Sequence, residues 1–435
     1  MAEPGFRERA QLLLSNLREG REVRAYLDQF SAAGEGCFAV IKVGGALMAE
    51  ALGDLADRLT LLQALGLRPV VVFGAGPQLD ARLGAAGLGT ERRDGLRVTP
   101  AGAMPIVADE AARTGLSLAE AMAERGGRAV LAPPGALTAA PLDEDAYGRV
   151  GRVASVDTEA FAALLASGVV PLVGPAHLDT EARLLNVNAD DVAQALALAL
   201  RPLKIVFLTG TGGMMGADGR LVDTVNLATD WETLRDAPFV QGGMRVKLDR
   251  IADLLSQLPL SSSVSMTDAR SLVRELFTHG GAGTLIRQGE RIVVEEAPAP
   301  DAYAPLIERA FGQPLAPGYW DRVRPLYAIR TERTRAAAIV TDGGPVHILD
   351  KFAVDPSARG EGLAKAVWGS LRERSPNLVW RSRAQNPFNA FYDAQADGFL
   401  RAGFWHVYWH GLELEAALGI GRQLAEAPPD FEVAA

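Results

Sequence analysis

A glycine turn between a strand and a helix carries the first residues whose types indicate chemistry. An apolar run ends at Asp355, before a proline that cannot continue a central strand, and helical spacing of apolar residues resumes at Leu363. Between them lie Arg359, Gly360 and Gly362, and the glycines leave backbone N–H groups uncovered at a helix start. These amides and the Arg359 charge predict an anion site, with a pyrophosphate as the ligand. The alternative is an ordinary strand–turn–helix connection.

Glycine turns beside charged side chains also occur near the beginning of the chain. Lys42 stands two residues before Gly44-Gly45, and Gly74-Ala75 follows the next apolar strand. Phosphoryl transfer requires neutralisation of charge on a crowded phosphate, which lysines and open backbone amides provide. The alternative for any one of these residues is a surface lysine or a turn glycine.

The composition limits the class of protein. At 435 residues the chain is longer than one typical core, so two or three domains are expected. A net charge of −9 argues against general nucleic-acid affinity, and no apolar run approaches the ~18 residues of a membrane span. The single cysteine, Cys37, cannot form an internal disulfide, and the first residues lack a signal-peptide core. A reducing, cytoplasmic location is therefore expected.

Alternating strands and helices must position the charged residues and the glycine turns. From residue 38 onward the pattern indicates an α/β fold with a mostly parallel sheet covered by helices on both faces. Ligands of such sheets bind beyond the carboxyl ends of the strands, where the glycine turns fall. The predicted strands are 38–43, 69–73, 128–132, 168–173 and 204–209. The predicted helices are 50–65, 102–113, 115–125, 157–166, 189–200 and 244–257.

Five motifs occur in the order found in the amino-acid kinase family. They are Lys42 with Gly44-Gly45, Gly74 to Pro77, Asp94 to Thr99, Asn186 to Asp190, and Gly242 to Lys247. In these motifs the stretch from about 35 to 290 resembles N-acetylglutamate kinase. The resemblance implies an amino-acid kinase domain over 34–290, with a mostly parallel sheet between helices and ATP with Mg as cofactor.

The same resemblance implies roles for individual residues. Lys42 and Lys247 would stabilise the transferring phosphoryl group from two sides, and Asp190 would orient both lysines. Arg97 would grip the α-carboxylate of N-acetylglutamate with two hydrogen bonds. The residues expected at the acetamido group are Asn186 and Asn188. The turn residues expected at phosphate or substrate oxygens are Gly44, Gly45, Gly74, Ala75 and Gly76.

Several positions depart from stand-alone acetylglutamate kinases. Phe73 stands where histidine is usual, Ala75 stands where glycine is usual, and Pro133-Pro134 removes two backbone donors. The nucleotide loop lacks the usual aspartate and reads Thr-Gly-Thr-Gly-Gly over 209–213, a sequence associated with the two-domain synthase/kinase branch. These departures bear on kinase turnover more than on binding of N-acetylglutamate.

The segment from Glu275 to Thr284 resembles the part of feedback-regulated kinases that binds arginine together with an N-terminal helix. Residues 1–33 are predicted to contain that helix, an amphipathic one over 5–30. It packs either on its own domain or on a neighbouring subunit. Tyr26, Glu275 and Gly281 are the residues expected at an arginine site. The alternative for this segment is a strand connection to a closing hairpin.

An alanine- and proline-rich stretch at 295–305 predicts a boundary, after which a second domain is expected over 300–435. Its predicted strands are 326–330, 335–341, the run before Asp355, 377–382 and 404–410. The glycine turn at 359–362, with Ala364 after it, resembles the acetyl-CoA motif of the GNAT acyltransferases. The resemblance implies a C-terminal GNAT α/β domain in which Arg359, Gly360, Gly362 and Ala364 hold the coenzyme A pyrophosphate. The backbone of Phe352 and Val354 would pair with its pantetheine.

The run from Asn386 to Tyr392 resembles N-acetylglutamate synthases of the vertebrate and fused bacterial type. The resemblance implies that Tyr392 donates to the departing thiolate and that Asn386 orients the attacking amine or its water. Lys351 and Arg381 would hold the carboxylates of glutamate. The alternative for Tyr392 is a core aromatic residue.

The whole chain resembles the bifunctional N-acetylglutamate synthase/kinases of bacterial arginine biosynthesis. The expected ligands are acetyl-CoA, L-glutamate, N-acetyl-L-glutamate and ATP with Mg, with L-arginine as an effector. No metal-binding cluster, nucleic acid or membrane partner is predicted, and the resemblance implies a homotetramer. Two alternatives stay open: a synthase whose kinase-like domain senses arginine, and an interaction scaffold without catalysis.

Overall fold

The computed structural model describes residues 36–89, 91–240, 243–277, 282–358, 362–386 and 388–432. The chain divides into two compact units between Gln288 and Gly289. Several predicted features lie outside the described residues: the helix at 5–30 with Tyr26, Gly281, Arg359 and Gly360.

The first unit alternates strands and helices over most of its length. Its described strands are β1 (Ala39–Val43), β2 (Pro69–Phe73), β3 (Arg92–Arg93), β4 (Leu96–Arg97), β5 (Ala129–Leu131), β6 (Leu137–Pro141), β7 (Val150–Val156), β8 (Val170–Val173), β9 (Ala176–Leu178), β10 (Leu184–Val187), β11 (Lys204–Leu208), β12 (Thr224–Asn226), β13 (Ser263–Thr267) and β14 (Thr284–Arg287). Its described helices are α1 (Gly45–Glu50), α2 (Leu52–Ala64), α3 (Gly76–Ala85), α4 (Met104–Ala123), α5 (Glu144–Tyr147), α6 (Thr158–Ala166), α7 (Ala189–Leu200), α8 (Leu227–Arg235), α9 (Gly243–Ser256) and α10 (Leu272–Phe277).

Eight of the described strands form one sheet in the order β12-β14-β13-β11-β1-β2-β8-β5. Neighbours pair in parallel except β13 and β14, which run antiparallel. Helices α2 and α4 pack on one face, and α6 and α7 pack on the other. The continuous apolar runs of β1 and β2 explain their central position, since both faces are buried. The predicted parallel sheet between helices is confirmed.

Strands β6, β7, β9 and β10 form a separate small closed sheet that the sequence did not predict. Strands β9 and β10 have only three and four residues, and β7 buries only its first two residues and contains no continuous apolar run. The sequence criterion of continuous apolar runs therefore misses them.

The two helices predicted at 102–113 and 115–125 are one helix, α4. The prediction divided this helix just before Gly115, but Gly115 lies within the helix, where its missing side chain leaves space for an aromatic ring. A Cβ at position 115 would lie 2.9 Å from Cζ of Phe73. A Cβ at Gly174 would approach the same ring equally closely. The glycine is thus a packing requirement of the buried Phe73 ring rather than a helix end.

The second unit contains a mixed sheet with helices on both faces. Its described strands are β15 (Ile292–Glu295), β16 (Pro325–Thr331), β17 (Ala336–Asp342), β18 (His347–Val354), β19 (Leu378–Arg383), β20 (Gly398–Ala402) and β21 (Trp405–His410). Its described helices are α11 (Ala304–Phe311), α12 (Tyr319–Arg322), α13 (Leu363–Arg374), α14 (Asn389–Gln395) and α15 (Leu414–Glu426).

The second sheet begins before the boundary predicted at 295–305. Seven described strands pair in the order β15-β16-β17-β18-β19-β21-β20, and only β18 and β19 run parallel. Its first strand, β15, pairs along its whole length with β16. The apolar residues of β15 continue directly into this sheet, so the predicted domain start near 300 is too late.

Helix α13 packs on one face of the second sheet, and α11 and α15 pack on the other. Neighbouring residues of a strand therefore face different helices: Phe352 lies in the core with α13, and Ala353 lies in the core with α11. None of the described helices has the length and apolar character needed to cross a membrane. Burial raises the pKa of the Cys37 thiol to about 12, which fits a packing residue rather than a nucleophile.

Candidate functional site

The carboxyl edge of the first sheet brings three turns together. The last residues of β1, β2 and β11 lie in register: Val43, Phe73 and Leu208. Because these strands run parallel, the turns after them, at Gly44, Gly74 and Thr209, begin side by side. The predicted phosphate and nucleotide turns thus share one edge.

The first two turns approach each other through their backbones. A Cβ at Gly45 would lie 2.8 Å from Gly76 N, and Gln78 Nε2 donates to the Gly45 carbonyl at 2.7 Å. By contrast, a Cβ at Gly44 would have no neighbour within 4 Å. Position 45 therefore needs glycine for close packing, whereas position 44 is open to a ligand.

Lys42 and Asp190 form the predicted ion pair at this edge. Lys42 Nζ lies 2.8 Å from Asp190 Oδ1, which stands in the first turn of α7. Asn188 caps this helix, because its Oδ1 accepts a hydrogen bond from Asp190 N at 2.8 Å. The cap positions the carboxylate that orients Lys42. It also engages Asn188 Oδ1 and leaves the amide nitrogen for the predicted acetamido contact.

Arg97 is buried and holds the second glycine turn. Its guanidinium donates to Asp80 and, at 3.0 Å, to the Gly76 carbonyl. The hydrogen bond from Arg97 to the Asp80 carboxylate lowers the pKa of that carboxyl below its ordinary value. Two N–H groups of Arg97 are thereby engaged within the protein, and its grip on a substrate carboxylate stays a prediction.

Thr99 connects the third and fourth motifs, although no individual role was predicted for it. Its Oγ1 donates to the Arg97 carbonyl at 2.9 Å and accepts from Asn186 Nδ2 at 3.1 Å. The Asn186 amide is thereby oriented by a buried hydroxyl. The Asn186 Oδ1 atom is left for the predicted contact with the N–H of the acetamido group.

The structure does not bring Lys247 to Asp190. Lys247 is exposed on α9, and within the described residues it has no ion pair with Asp190. The side chain of α9 that reaches the start of α7 is instead Arg250, whose Nη1 lies 3.3 Å from Asp191 Oδ1. Orientation of Lys247 by Asp190 is therefore not observed, and its part in catalysis stays a prediction.

The loop after β11 folds back on β14. Thr211 Oγ1 donates to the Gly213 carbonyl at 3.0 Å, and Gly212 adopts a φ of +74°, which favours glycine. A Cβ at Gly213 would lie 2.9 Å from Thr284 Oγ1. Both glycines are thus required by the backbone path, beside the turns at Gly44 and Gly74.

Glu275 is buried, and its carboxylate Oε2 accepts a hydrogen bond from Ala282 N at 2.7 Å. This bond holds the backbone at Ala282. Residues 278–281, which include Gly281, lie outside the described residues. The assignment of Glu275 to an arginine site stays a prediction.

The second unit contains an opening between two parallel strands. Strands β18 and β19 pair only over His347–Leu349 and Leu378–Trp380, although both continue further. Asp355 N donates to the Arg335 carbonyl of the strand on the other side. By the alternation of a ladder, Phe352 and Val354 then direct their backbone groups into the opening. This arrangement fits the predicted pairing of these two residues with a pantetheine chain.

The start of α13 lies just after the opening. Gly362 is its N-cap and has a φ of +69°, which favours glycine. Ala364 lies in the first turn and is half-buried. The small residue and the uncapped amides fit a pyrophosphate, although Arg359 and Gly360 lie outside the described residues.

Tyr392 lies on α14 in a cluster of aromatic rings. Its ring centroid lies 5.7 Å from those of Trp368 and Trp380, and 5.1 Å from that of Phe388. Burial raises the pKa of Tyr392, so the phenol is protonated throughout the neutral range. Among the described residues its hydroxyl has no hydrogen-bond partner. The donor predicted for an acyl transfer is therefore available.

Asn386 shapes the turn before α14. Its Nδ2 donates to Ser382 Oγ at 2.9 Å, and its Oδ1 accepts from Phe388 N at 3.0 Å. Both ends of the amide are thus engaged within the turn. The predicted role in orienting an amine stays a prediction, with the second Nδ2 hydrogen as the group left for it.

Lys351 and Arg381 meet at one carboxylate, as their predicted common task requires, but that carboxylate belongs to the protein. A bulge at Asp350 in β18 places the Asp350 and Lys351 side chains together. Lys351 Nζ lies 2.9 Å from Asp350 Oδ2 and 3.0 Å from Asp430 Oδ2. Arg381 Nη2 lies 3.0 Å from both oxygens of Asp430.

Two family models match the two units. The amino acid kinase family matches residues 38–260, and the N-acetyltransferase of N-acetylglutamate synthase matches residues 293–420. The chain is 44% identical to an acetylglutamate kinase of Xanthomonas campestris, over 91% of this chain and 95% of that protein. The chain belongs to the N-acetylglutamate synthase/kinase family, in which an amino acid kinase domain is fused to an N-acetyltransferase domain.

Other members of this synthase/kinase family differ in name and length. The human mitochondrial N-acetylglutamate synthase is 31% identical, over 90% of this chain and 72% of that protein. A solved N-acetylglutamate synthase from Neisseria gonorrhoeae, complexed with coenzyme A and N-acetylglutamate, has a TM-score of 0.62 and 20% identity. It covers 90% of this chain and 98% of its own, and at this identity it confirms the fold alone. As a member of the synthase/kinase family, the chain is an enzyme with two transferase domains.

Sequence reasoning missed several side chains that the synthase/kinase fold places in these sites. Gln78 follows the quoted motif Gly74 to Pro77 directly, so its position beside the turn was a usable signal. Asp350 stands beside Lys351 in the sequence, but a bulge cannot be read from the residue types. Asp430 lies in a stretch without any motif, and nothing in the sequence signals its contact with Lys351 and Arg381.

Proposed function

We propose that the chain catalyses two consecutive reactions on one amino acid. The second unit transfers an acetyl group from acetyl-CoA to L-glutamate, and the first phosphorylates the γ-carboxylate of N-acetyl-L-glutamate with ATP and Mg. The observation that carries this proposal is the coexistence of two sites: Lys42 with Asp190 near three turns, and Tyr392 packed against Trp380, the last residue of β19 that pairs with β18. Relatives named for each activity support it.

In the first unit the residues act on charge. Phosphoryl transfer places negative charge on the oxygens of the moving group, and bound Mg-ATP supplies the phosphoryl group and a further cation. Lys42, oriented by Asp190, neutralises part of that charge, while the amide of Gly44 donates to an oxygen at the edge of the sheet. The amide of Gly74 donates instead to the Val43 carbonyl at 3.0 Å and holds the two turns together. Asn186 and Asn188 hold the acetamido group next to that edge.

In the second unit the two faces of the sheet divide the work. Phe352, Trp380 and Tyr392 lie on the face of the sheet that α13 covers. Lys351 precedes Phe352 in β18 and Arg381 follows Trp380 in β19, so both cations face the other side of the sheet. Acetyl-CoA in the opening would supply the thioester. The amine of glutamate, held by its carboxylates, then attacks from the side of Lys351. Tyr392 donates a hydrogen bond to the departing sulfur from the side of α13.

The kinase half is tested by a coupled ADP assay with N-acetylglutamate and Mg-ATP. We expect turnover by the wild-type chain and a loss of at least about tenfold in Lys247→Ala, because one cation at the transferring group is removed. The synthase assay of the same preparation serves as the control for folding. Kinase turnover of the wild type no higher than that of Lys247→Ala would contradict the kinase proposal.

The synthase half is tested by glutamate-dependent consumption of acetyl-CoA. We expect Tyr392→Phe to lower kcat by about a hundredfold, because the ring packing is kept and only the donor is lost. Phe391→Leu, a neighbour without a hydroxyl, controls for the packing of α14. Acetyl-CoA consumption that does not depend on glutamate, or that Tyr392→Phe leaves unchanged, would contradict this assignment and leave the scaffold alternative.

A second candidate function has only the synthase active, with the first unit sensing arginine. It is favoured by the exposure of Lys247 away from Asp190 and by the buried Phe73 where related kinases have histidine. A Neisseria gonorrhoeae N-acetylglutamate synthase with this fold has been solved with coenzyme A and L-arginine, at 21% identity and a TM-score of 0.60. Calorimetry decides between the two: arginine binding without ATP binding supports sensing, and ATP binding with ADP production supports the kinase.

A further inference from the structure

Asp430 occupies the place that the proposed synthase assigns to a substrate carboxylate. Its Oδ2 lies 3.0 Å from Lys351 Nζ, and both of its oxygens lie 3.0 Å from Arg381 Nη2. These are the two cations expected to hold glutamate. A carboxylate of the protein and a carboxylate of the substrate cannot accept the same N–H groups at once.

The same two cations also donate to other groups of the protein. Lys351 Nζ donates to the carboxylate and the carbonyl of Asp350. Arg381 Nη1 donates to the carbonyls of Leu424 and Ala427 at the end of α15, and its Nη2 also contacts the Pro428 carbonyl. Glutamate therefore gains hydrogen bonds from Lys351 Nζ and Arg381 Nη2 by replacing Asp430, because both nitrogens already donate to this carboxylate.

The segment 428–432, here called the Asp430 segment, is attached mainly through backbone bonds. Ala316 N donates to the Asp430 carbonyl at 3.0 Å, and Glu432 N donates to the Pro314 carbonyl at 3.1 Å. Arg322 donates to the Pro429 carbonyl, and the Phe431 ring lies 4.9 Å from that of Phe311. It contains no helix, and its strand contact is a single bridge. None of these bonds belongs to a ladder of the seven-stranded sheet, so release of the segment would break no strand pairing of that sheet.

Charge also favours an exchange. Asp350 and Asp430 contribute two negative charges and Lys351 and Arg381 two positive ones, so the cluster is neutral. Without Asp430 the cluster carries one net positive charge, which complements the net charge of −1 of L-glutamate. A cleft of about 220 Å³, lined by Arg322, Leu349, Asp350, Arg381 and Asp430 among others, lies beside the cluster. It gives a small dicarboxylic amino acid a place from which to displace Asp430.

We propose that the Asp430 segment is an internal competitor for L-glutamate: its carboxylate occupies Lys351 and Arg381 until the substrate displaces it. The proposal rests on the proposed synthase function and adds a regulatory element to the same site. Burial opposes ionisation of Asp430, but the charges of Lys351 and Arg381 outweigh it and lower its pKa, so the competitor is ionised at neutral pH.

The test compares Asp430→Asn with Glu432→Gln in the full chain. Both variants remove one carboxylate from the same segment, but Glu432 is exposed and only its backbone makes a described hydrogen bond. We expect Asp430→Asn to lower the KM for glutamate at least about threefold, with the KM for acetyl-CoA unchanged, and Glu432→Gln to change neither. A KM for glutamate that rises in Asp430→Asn shows that Asp430 positions the cations, and an unchanged KM shows no competition. Either result overturns the proposal.

A cross-link tests the same exchange without removing Asp430. Leu315 and Phe431 are paired in the bridge, so Leu315→Cys with Phe431→Cys is expected to lock the Asp430 segment under oxidising conditions. We expect glutamate-dependent acetyl-CoA consumption to fall at least tenfold on oxidation and to return on reduction. Phe431→Cys alone controls for the lost ring. Full activity in the oxidised double variant would overturn the proposal.

Calorimetry separates this proposal from the synthase assignment. L-glutamate is titrated into the wild type and into Asp430→Asn, each in the presence of coenzyme A. If the acetyl-CoA assay detects no acetyl transfer by the wild type, the synthase assignment is contradicted. Tighter glutamate binding by Asp430→Asn supports the competitor whether or not turnover occurs, and equal or weaker binding contradicts it.

Discussion

The two lysines assigned to substrates stand in opposite electrostatic situations. The side chain of Lys42 is 17% exposed and has one carboxylate partner, Asp190. The side chain of Lys351 is 4% exposed and lies between two carboxylates, Asp350 and Asp430. A partly solvated ammonium tolerates a single partner, whereas a buried one requires its charge and all its N–H groups to be matched. The first site is therefore ready for a ligand, and the second must exchange an internal partner for one.

This contrast predicts that the largest single effect comes from the lysine with one partner. We expect Lys42→Met to lower kcat for phosphorylation of N-acetylglutamate by roughly a thousandfold, because the remaining ligand contacts cannot replace its charge in the transition state. Acetyl transfer should stay within about twofold of the wild type. The coupled ADP assay and the acetyl-CoA assay, run on one preparation, measure both.

The matched control is Lys204→Met, because Lys204 lies at the other end of the same sheet and contacts Ser263. Kinase activity should change less than about threefold in this variant. Equal losses in the two lysine variants would show a general effect on the sheet and remove the special role of Lys42.

The next effect comes from the backbone of the open site. We expect Gly45→Ala to lower kinase kcat/KM by about a hundredfold, because its Cβ would lie 2.8 Å from Gly76 N and would force the two turns apart. Gly44→Ala is the matched control for stability, since its Cβ meets no atom within 4 Å. Thermal unfolding should therefore distinguish the variants, with a lower midpoint for Gly45→Ala only. The same midpoint and the same activity in both would contradict the close approach.

In the closed site we expect a smaller and more selective effect. Lys351→Ala should raise the KM for glutamate by about thirtyfold and the KM for acetyl-CoA by less than about threefold, because one cation of the carboxylate pair is lost. Steady-state assays with each substrate varied in turn measure this split. Arg401→Ala, an exposed cation on β20, controls for the loss of a positive charge. An equal rise of both KM values in Lys351→Ala would contradict its assignment.

The sequence predicted the two sites to different degrees for a physical reason. The roles of Lys42 with Asp190, and of Lys351 with Arg381, were predicted from the resemblance to the synthase/kinase family, whose motifs contain these residues. Asp430 contacts both cations of the second site, but it lies in an irregular segment whose path depends on tertiary packing. Periodicity carries no information about such a path, so the partner that closes this site was not predictable.

The same limit explains the errors in the fold. A glycine such as Gly115 ordinarily weakens a helix. Here it lies within α4, because the ring of Phe73 fills the space that a side chain at position 115 would take. Phe73 is more than 40 positions away along the chain. In the sheet of β6, β7, β9 and β10, consecutive strands form two antiparallel pairs, and the sheet closes only because β7 pairs with β10 and β6 pairs with β9. In both cases the local structure depends on contacts between segments that are distant in the sequence, and a local sequence pattern does not contain those contacts.

The smallest expected effect tests how burial acts on a titratable group of the first unit. His177 on β9 is buried, and burial lowers its pKa from 6.5 to about 4. The unfolded chain then binds a proton at about pH 6.5 that the folded chain refuses, so stability is full above that pH and is lost as the pH falls toward 4. Between about pH 7.5 and about pH 5.5 this histidine should reduce the free energy of unfolding by about 1 kcal/mol. Urea unfolding of the wild type and of His177→Gln at both pH values measures the difference, in which the other titrating groups cancel. If the free energy of unfolding falls equally in both proteins on acidification, His177 accepts its proton in the folded state. Burial would then not exclude that proton from the first unit.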